Sequence, residues 1–229
     1  MQIAGIEKNS FVDYPGKIAA VIFTYGCNLN CGYCHNRSLL LSSERFQTEI
    51  DDKKIFDFLK DRKKFIEGVV ISGGEPTIWP DLLEFILQIK RIGYPIKLDT
   101  NGTNPKLLQQ LIDNKIIDYV AMDVKAPLEK YSAICNSNVN LNDLERSIEI
   151  LLSGKIDYEF RTTLIPELTK EDLFLIAKEI KYCKKYVLQI YRSDNRNKYN
   201  EHDINIYQFT KVLSEEITIH EARESITRK

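Results

Sequence analysis

The sequence lacks a strong excess of charge, a long apolar run and a basic leader segment. Its 32 Lys and Arg residues nearly balance 33 Asp and Glu residues, so the charge does not favour nucleic acid as the main partner. No apolar run approaches the roughly 20 residues that a membrane-spanning helix needs. The opening residues, MQIAGIEKNS, contain no basic stretch followed by an apolar one, which argues against a signal peptide. These absences predict a cytoplasmic protein that binds neither nucleic acid nor a membrane.

Cysteine is also scarce, and its five copies are unevenly placed. Cys27, Cys31 and Cys34 lie together with the spacing C-x3-C-x2-C, whereas Cys135 and Cys183 are far away in the sequence. Three thiols this close make no sensible disulfide framework, and clustered cysteines in the cytosol more often bind metal. They could hold three corners of an iron–sulfur cubane, whose usual complement is four cysteines. One iron would then stay open for a small molecule.

A zinc site is the alternative interpretation of the same motif. Structural zinc sites usually have four protein ligands, often in two paired motifs. His35 could be a fourth ligand, but a residue adjacent to the ligand Cys34 seldom reaches the same metal. A ferredoxin would be shorter and would supply four cysteines. The motif therefore favours an open cluster, and Cys135 and Cys183 are predicted to be isolated, buried free thiols.

The rest of the sequence alternates short β-branched runs with amphipathic segments. Six apolar runs predict buried strands at 18–25, 68–73, 95–100, 118–124, 158–165 and 186–191. Five helices are predicted between them, with helix starts at Asn104-Pro105 and Thr169. This alternation predicts an α/β fold with a parallel sheet and right-handed crossovers. An open doubly wound sheet and a partial barrel both fit, because six strands are too few for the usual eight-stranded closure.

The two ends of the chain differ from this alternating part. Ile3–Ile6 is predicted as a short extra strand ahead of the turn FVDYPGK. From Asp194 the chain is polar, and it then contains a predicted helix at Ile204–Leu213 and a short apolar run at Ile217–Ile219. No Gly/Ser-rich linker and no internal repeat divides the chain, so a single domain is predicted.

Polar residues recur where the predicted strands end, which is where both architectures place ligands. SGGEP, Ser72–Pro76, ends the second strand; paired glycines allow close backbone approach to a ligand, and Glu75 could accept hydrogen bonds from an ammonium group. LDTNGT ends the third, where Asp99 and Asn101 suit a ribose hydroxyl or a cation. A simple strand-to-helix turn and an Asx turn are the plainer explanations of these two motifs.

The later strands continue the pattern. Asp123 and Lys125 are two positions apart at the end of the fourth strand, so they share one face of it. Charged groups at the end of an apolar strand need a partner or a solvated cleft, although a plain surface ion pair is the alternative. Around the last two strands the polar residues are Arg161, Gln189 and Arg192.

Together these residues resemble the radical S-adenosylmethionine superfamily. Its signature, C-x3-C-x-aromatic-C, is matched by the three clustered cysteines with Tyr33. DYPGK and CHN are similar to the anaerobic ribonucleoside-triphosphate reductase activating proteins and, more distantly, the pyruvate formate-lyase activating enzymes. The resemblance covers about residues 3–192. It implies a partial (β/α)6 barrel with short N- and C-terminal extensions, in one domain over 1–229 with its core at about 16–192 and a C-terminal extension at 193–229.

The resemblance also implies cofactors and the residues that bind them. The three clustered cysteines would hold a [4Fe–4S] cluster, and S-adenosylmethionine would chelate its open iron through the amino and carboxylate groups. The residues expected to contact this cofactor are Tyr33, Gly73, Gly74, Glu75, Asp99, Asn101, Asp123, Lys125, Arg161 and Gln189. A monovalent cation is implied near Asp99, Thr100 and Asp123. The histidine that ends the last strand in the pyruvate formate-lyase relatives has no clear counterpart here.

The implied function is the reductive cleavage of S-adenosylmethionine to methionine and a 5′-deoxyadenosyl radical, with flavodoxin or ferredoxin as the electron donor. The radical would take a hydrogen atom from a glycine of a partner, expected to be anaerobic ribonucleotide reductase, and leave a glycyl radical. One alternative is an enzyme acting on a small molecule, as the 7-carboxy-7-deazaguanine synthases do. The other is a non-catalytic iron–sulfur or zinc regulatory protein, which would need no polar residues along successive strand ends.

Overall fold

The computed structural model of the chain describes residues 1–39, 50–191 and 219–224. Eight strands form one sheet in chain order: β1 Ile3–Tyr14, β2 Lys17–Thr24, β3 Gly68–Gly73, β4 Ile96–Thr100, β5 Tyr119–Asp123, β6 Asp157–Leu164, β7 Tyr186–Ile190 and β8 Ile219–Glu224. β1 pairs with β2 antiparallel, and every later pair is parallel. The sheet curls into a partial barrel, so the predicted α/β fold and partial barrel are confirmed.

The helices lie between the parallel strands. They are α1 Asp52–Asp61, α2 Leu82–Ile92, α3 Pro105–Asp113, the short α4 Tyr131–Ile134, α5 Leu141–Leu152 and α6 Lys170–Glu179. Both predicted helix starts are confirmed: Asn104 caps α3 through Leu107 N–H, and Thr169 caps α6 in a capping box with Asp172. No helix in the described part of the chain is long and apolar enough to cross a membrane.

Two strands differ from the prediction. β1 extends to Tyr14 instead of ending at Ile6, because irregular pairing with β2 breaks the alternation that a pattern search detects. β8 was missed because only Ile219 falls in the predicted apolar run, while HEARE, at 220–224, is mostly polar. The predicted helix at 204–213 and Arg192 lie outside the described residues.

The two faces of the sheet differ in chemistry. The face toward the helices belongs to the main hydrophobic core, as Val69 and Ile71 of β3 and Leu98 of β4 do. The barrel interior holds a small apolar cluster near the amino ends of its strands, made of Tyr14, Ala19, Val21 and Val70. Toward the carboxyl ends the interior becomes polar, and this polar region is where the predicted site residues lie.

Candidate active site

A cavity of about 230 Å³ lies at the carboxyl ends of the parallel strands. It is lined by all the residues predicted for the site, namely Cys27, Cys31, Tyr33, Cys34, Gly73, Gly74, Glu75, Asp99, Asn101, Asp123, Lys125, Arg161 and Gln189. Thr100, predicted to lie near a cation, is also in the lining. The fold therefore brings together residues from β2 to β7, and their contacts with a cofactor stay predictions.

The segment that carries the three cysteines, residues 25–36, is the cysteine loop. Its start is fixed by the indole of Trp79, which donates to Tyr25 O at 2.8 Å. Within the loop, Cys34 N–H donates to Cys31 O at 3.2 Å, and Arg37 Nη1 donates to the same oxygen at 3.0 Å. These contacts hold the loop in a defined path directly after β2. The Trp79 contact also connects it to the segment after β3.

The environment of each thiol in the cysteine loop differs. Burial raises the pKa of Cys27 to about 11 and also raises the pKa of Cys34. A hydrogen bond with the Cys135 thiol lowers the pKa of Cys31 to about 6. Among the described residues, no three His, Cys, Asp or Glu side chains converge on one point as the ligands of a single metal ion do. The three thiols therefore lie on one loop but differ in their electrostatic environments.

Cys135 is not the isolated thiol that its sequence position predicts. It is free and fully buried, as predicted, but it contacts the Cys31 thiol. Its carbonyl oxygen accepts a hydrogen bond from Asn30 N–H of the cysteine loop at 3.1 Å. The segment after α4 therefore packs on this loop, a contact between residues more than a hundred positions apart that no local pattern indicates. Cys183 is buried and free, as predicted.

The glycines of SGGEP are required because the end of β3 packs closely against the end of β2 and the start of the cysteine loop. A Cβ atom at Gly73 would overlap the backbone of Thr24, and one at Gly74 would overlap the carbonyl group of Gly26. Gly73 also has φ +122°, a value that side chains rarely allow. Gly74 N–H donates to Thr24 O at 2.9 Å, so the end of β3 lies directly against the cysteine loop. These contacts within the protein account for both glycines. The close approach of a ligand, which the sequence suggested as the reason, stays a prediction.

Glu75 is held by four hydrogen bonds from its own protein. It is 1% exposed. Its Oε1 accepts from Thr77 N at 3.1 Å, Thr77 Oγ1 at 2.5 Å and Thr100 Oγ1 at 2.8 Å, and its Oε2 accepts from Asn101 N at 2.6 Å. Burial raises its pKa, although these donors oppose the increase. Glu75 thus ties the end of β3 to the end of β4, and its contact with an ammonium group stays a prediction.

Asn101 extends this network to the cysteine loop. Its side-chain amide donates to Asn28 Oδ1 at 2.9 Å and approaches Cys27 Sγ at 3.9 Å. Asn28 in turn donates to Thr103 Oγ1 at 2.7 Å. The Asx turn proposed for LDTNGT is present, since Thr103 N–H donates to Asn101 Oδ1 at 3.0 Å. Asn101 therefore both forms the Asx turn and lines the cavity, so the two interpretations of LDTNGT do not exclude each other.

Five charged side chains form one network inside the barrel, here called the charged cluster: Lys97, Asp99, Asp123, Lys125 and Arg161. Arg161 joins the two carboxylates, with Nη1 3.4 Å from Asp99 Oδ2 and Nε donating to Asp123 Oδ1 at 2.8 Å. Lys125 Nζ donates to Asp123 Oδ2 at 3.2 Å. Lys97 Nζ donates to Asp99 Oδ1. Asp123 and Lys125 are thus part of an interior network and not a plain surface ion pair.

The carboxylates of the charged cluster stay ionised. Burial would raise the pKa of Asp123, but the charges of Arg161 and Lys125 hold it at about 2. Burial opposes the charges of Arg161 and Lys97 in the same way at Asp99, and its pKa also lies below the ordinary value. Burial would lower the pKa of Lys125, yet Asp123 raises it well above the ordinary value. The cavity wall therefore presents fixed charges of both signs at neutral pH.

Several residues of the site were not found from the sequence. Lys97 is 1% exposed in the middle of β4. Glu159, also 1% exposed, pairs with Lys185 at 3.0 Å and accepts from Tyr119 Oη at 3.2 Å. His35, near the end of the cysteine loop, stacks on Tyr191 with ring centres 5.1 Å apart. The available signal was spacing, because Lys97 and Glu159 each lie two positions from another charged residue of the same strand, Asp99 and Arg161 respectively.

The donor set can be compared with the groups that the resemblance implies. The three thiols border a cavity whose lining also includes Lys125 and Arg161, and this set of side chains fits an iron–sulfur cluster beside a small molecule with a carboxylate group. A monovalent cation fits less well, because the oxygens of Asp99 and Asp123 already contact ammonium and guanidinium groups.

Comparisons with known proteins agree with this chemistry. A family model described as the Radical SAM superfamily matches residues 21–180. A putative glycyl-radical enzyme activating enzyme from Methanocaldococcus jannaschii is 40% identical over 193 residues, covering 82% of this chain and 78% of that protein. A pyruvate formate-lyase-activating enzyme from Clostridium pasteurianum is 29% identical over 210 residues, covering 87% and 86%.

A solved structure also shares the fold. Streptococcus suis SuiB bound to S-adenosylmethionine superimposes with a TM-score of 0.69 and 16% identity, over 90% of this chain and 50% of that chain. At this identity the likeness concerns the fold. The present chain spans about half the length of that protein.

Proposed function

This chain belongs to the Radical SAM superfamily, and from that premise we propose that it is an activating enzyme that generates a glycyl radical on a partner enzyme. The observation that carries the proposal is that three thiols and four side chains of the charged cluster, Asp99, Asp123, Lys125 and Arg161, line one cavity. A regulatory protein that bound only a cluster would have no use for fixed charges facing that cluster. Zinc binding would leave the charged cluster equally unexplained.

Each part of the cavity has a role in this proposal. Cys27, Cys31 and Cys34 would hold a [4Fe–4S] cluster, which would supply the one-electron chemistry for the reductive cleavage of S-adenosylmethionine. Lys125 and Arg161 attract the carboxylate of the methionine portion, because they are partly buried cations in the cavity wall.

The remaining residues position and enclose the ligand. The Gly73–Glu75 turn fixes the cysteine loop relative to β4 and lies beside the methionine portion. The side chains proposed to orient the rest of the cofactor are Tyr33, Asn101 and Gln189. The walls exclude water, which protects a reactive radical from side reactions.

A macromolecular substrate is supported by the surface next to the cavity. Val12 lines the cavity and is 46% exposed, and its neighbour Phe11 is 75% exposed. Exposed apolar side chains of this size are typical of contact surfaces. We infer a protein partner that presents a glycine-bearing segment, and the similarity of DYPGK and CHN favours anaerobic ribonucleotide reductase. Flavodoxin or ferredoxin is the proposed electron donor.

The test is anaerobic. The protein is reconstituted with iron and sulfide and incubated with dithionite and S-adenosylmethionine, and 5′-deoxyadenosine is measured. Cys31→Ala is expected to abolish its formation, while Cys183→Ala, a buried thiol remote from the cavity, leaves it unchanged. Iron binding without any 5′-deoxyadenosine would overturn the enzymatic proposal.

The partner is tested separately by electron paramagnetic resonance. Anaerobic ribonucleotide reductase and pyruvate formate-lyase are each added, and a glycyl radical signal is expected with the first. A signal only with pyruvate formate-lyase would change the partner and keep the reaction class. Cleavage with no signal from either would favour a small-molecule substrate.

A further inference from the structure

The two carboxylates of the charged cluster have no free oxygen atom. Asp99 Oδ1 accepts from Lys97 Nζ, and its Oδ2 accepts from Ser72 Oγ at 3.0 Å while lying 3.4 Å from Arg161 Nη1. Asp123 Oδ1 accepts from Arg161 Nε at 2.8 Å, and its Oδ2 accepts from Lys125 Nζ at 3.2 Å. Each of the four oxygens therefore contacts a cationic group of the chain itself.

Lys97 is the deepest cation of the charged cluster. In the parallel register it lies between Val70 of β3 and Tyr119 of β5, next to the apolar cluster at the amino end of the barrel. An ammonium group buried there is costly unless a counter-ion is in contact with it. Within the described residues its ion-pair partner is Asp99 alone. Lys97 therefore stays paired with Asp99, because it is two positions away on the same strand and its other neighbours are apolar.

An added monovalent cation would find neither ligands nor favourable charge here. It would need oxygens of Asp99, Thr100 or Asp123, but ammonium and guanidinium groups already occupy the carboxylate oxygens. Within the charged cluster three cations face two carboxylates, so a further cation would increase an existing positive excess. In a site of low dielectric, like charges this close repel strongly. Glu75 offers no replacement, because its oxygens accept hydrogen bonds from Thr77, Thr100 and Asn101.

We propose that the ammonium group of Lys97 takes the place of the monovalent cation expected near Asp99, so that the protein binds S-adenosylmethionine without added potassium or sodium. Lys97 acts as a positioning residue: it keeps Asp99 in place. The positive excess of the charged cluster is left for the carboxylate of the ligand. This inference rests on the proposed function, since it concerns the same ligand.

The test measures the dissociation constant of S-adenosylmethionine for the anaerobically reconstituted protein by equilibrium dialysis. Potassium chloride is compared with tetramethylammonium chloride at equal ionic strength, because the bulky organic cation cannot be coordinated by oxygen ligands. For the unaltered protein the two constants are expected to agree within about twofold. In Lys97→Gln the ammonium group beside Asp99 is gone, so potassium can bind there and strengthen the binding of S-adenosylmethionine. The affinity of this variant is therefore expected to be roughly tenfold weaker in tetramethylammonium than in potassium.

A matched control is Lys90→Gln, which removes another lysine that is paired with an aspartate, Asp118 at 2.9 Å, and is not part of the cavity lining. It is expected to show no potassium effect. Lys97→Met serves if Lys97→Gln does not fold, because an apolar chain suits the buried position. Thallium(I), a potassium surrogate that also binds thiols, is a second readout and is added to cluster-free proteins in which Cys27, Cys31 and Cys34 are replaced by alanine. With Lys97→Gln the protein is expected to bind it, and with Lys97 retained it is not.

Three outcomes would overturn the inference. The first is a potassium requirement in the unaltered protein. The second is Lys97 variants that ignore potassium, which would mean that no cation is needed there. The third is the absence of S-adenosylmethionine binding by the unaltered protein in either salt, and this result alone would reject the proposed function as well.

Discussion

A single methyl group added at Gly74 would overlap the carbonyl group of Gly26. We expect Gly74→Ala to move the cysteine loop away from the end of β3, to bind less iron and to lower the free energy of unfolding by about 1–3 kcal/mol, as overpacking does. Iron per chain after reconstitution and urea unfolding of the cluster-free protein measure these effects.

Gly32→Ala is the matched control, because it lies in the cysteine loop and nothing stands within 4 Å of its added Cβ atom. It is expected to bind iron normally. Normal iron binding by Gly74→Ala would show that the loop tolerates displacement.

Cys135 tests whether the cluster has three protein ligands or four. It contacts Cys31, but three cysteines with the superfamily's spacing are sufficient for an open cluster. We expect Cys135→Ala to keep the iron content and the 5′-deoxyadenosine formation of the unaltered protein, and Cys31→Ala to lose both. If Cys135→Ala lost as much iron and 5′-deoxyadenosine formation as Cys31→Ala, Cys135 would be a fourth cluster ligand, and no iron would be left open for S-adenosylmethionine.

At the scale of elements, α6 holds the segment that follows β5. Lys130 Nζ contacts Asp172 at 2.9 Å near the start of α6, and Leu128 N–H donates to Glu179 Oε1 at 3.1 Å at its end. Further along the same segment, Tyr131 Oη donates to Asp123 O at 3.2 Å. The helix thereby supports the strand end that carries Asp123 and Lys125.

The capping box of α6 has a measurable pH dependence. Burial would raise the pKa of Asp172, but hydrogen bonds from Lys130 and Thr169 hold it below the ordinary 3.8. Because the pKa is lower in the folded state, the ionised carboxylate stabilises that state. This stabilisation is complete when the pH is above the ordinary pKa, and it is lost as the pH falls through the lowered pKa. Asp172→Asn should therefore cost about 1 kcal/mol at pH 7, with the same difference down to about pH 5 and a smaller one below pH 4.

Urea unfolding at these pH values is the measurement. Glu171→Gln, an exposed change one position earlier, is the control and should be near neutral. A cost for Asp172→Asn that is independent of pH would mean that the charge of Asp172 contributes nothing.

The sequence predicts elements whose signals are local. Asn104 and Thr169 mark helix starts because capping is decided within three or four residues. β8 could not be found in this way, because a short polar strand exists through its pairing with β7. The same applies to the last part of β1, whose pairing with β2 is irregular.

At the scale of the whole molecule, the strand-end residues were predictable because parallel strands place their carboxyl ends at one edge. Their partners were predictable only within one strand. Lys97 lies two positions before Asp99 on β4, so the period of the strand places both side chains on one face. Glu159 and Lys185 belong to separate segments, and their pairing depends on the complete fold. Cys135 reaches Cys31 for the same reason, since the contact depends on the complete fold.

Pairing of β8 with β7 covers an edge that would otherwise be exposed. We expect a chain ending at Tyr191 to self-associate, because unpaired backbone groups would flank the apolar β7, whereas a chain ending at Glu224 stays dispersed. Light scattering over a range of concentrations distinguishes the two. Equal dispersion of both chains would show that β7 needs no cover.

The order in which the cavity wall is synthesised follows from where its parts lie along the chain. The cysteine loop leaves the ribosome long before Arg161 and Gln189, since translation adds about 5–20 residues per second and β6 and β7 lie more than a hundred residues further along the chain. During that interval the thiols have no enclosing wall. If the proposed cluster is bound, we expect its insertion to follow release of the folded chain, so that a ribosome-stalled chain ending before β6 retains no stable iron.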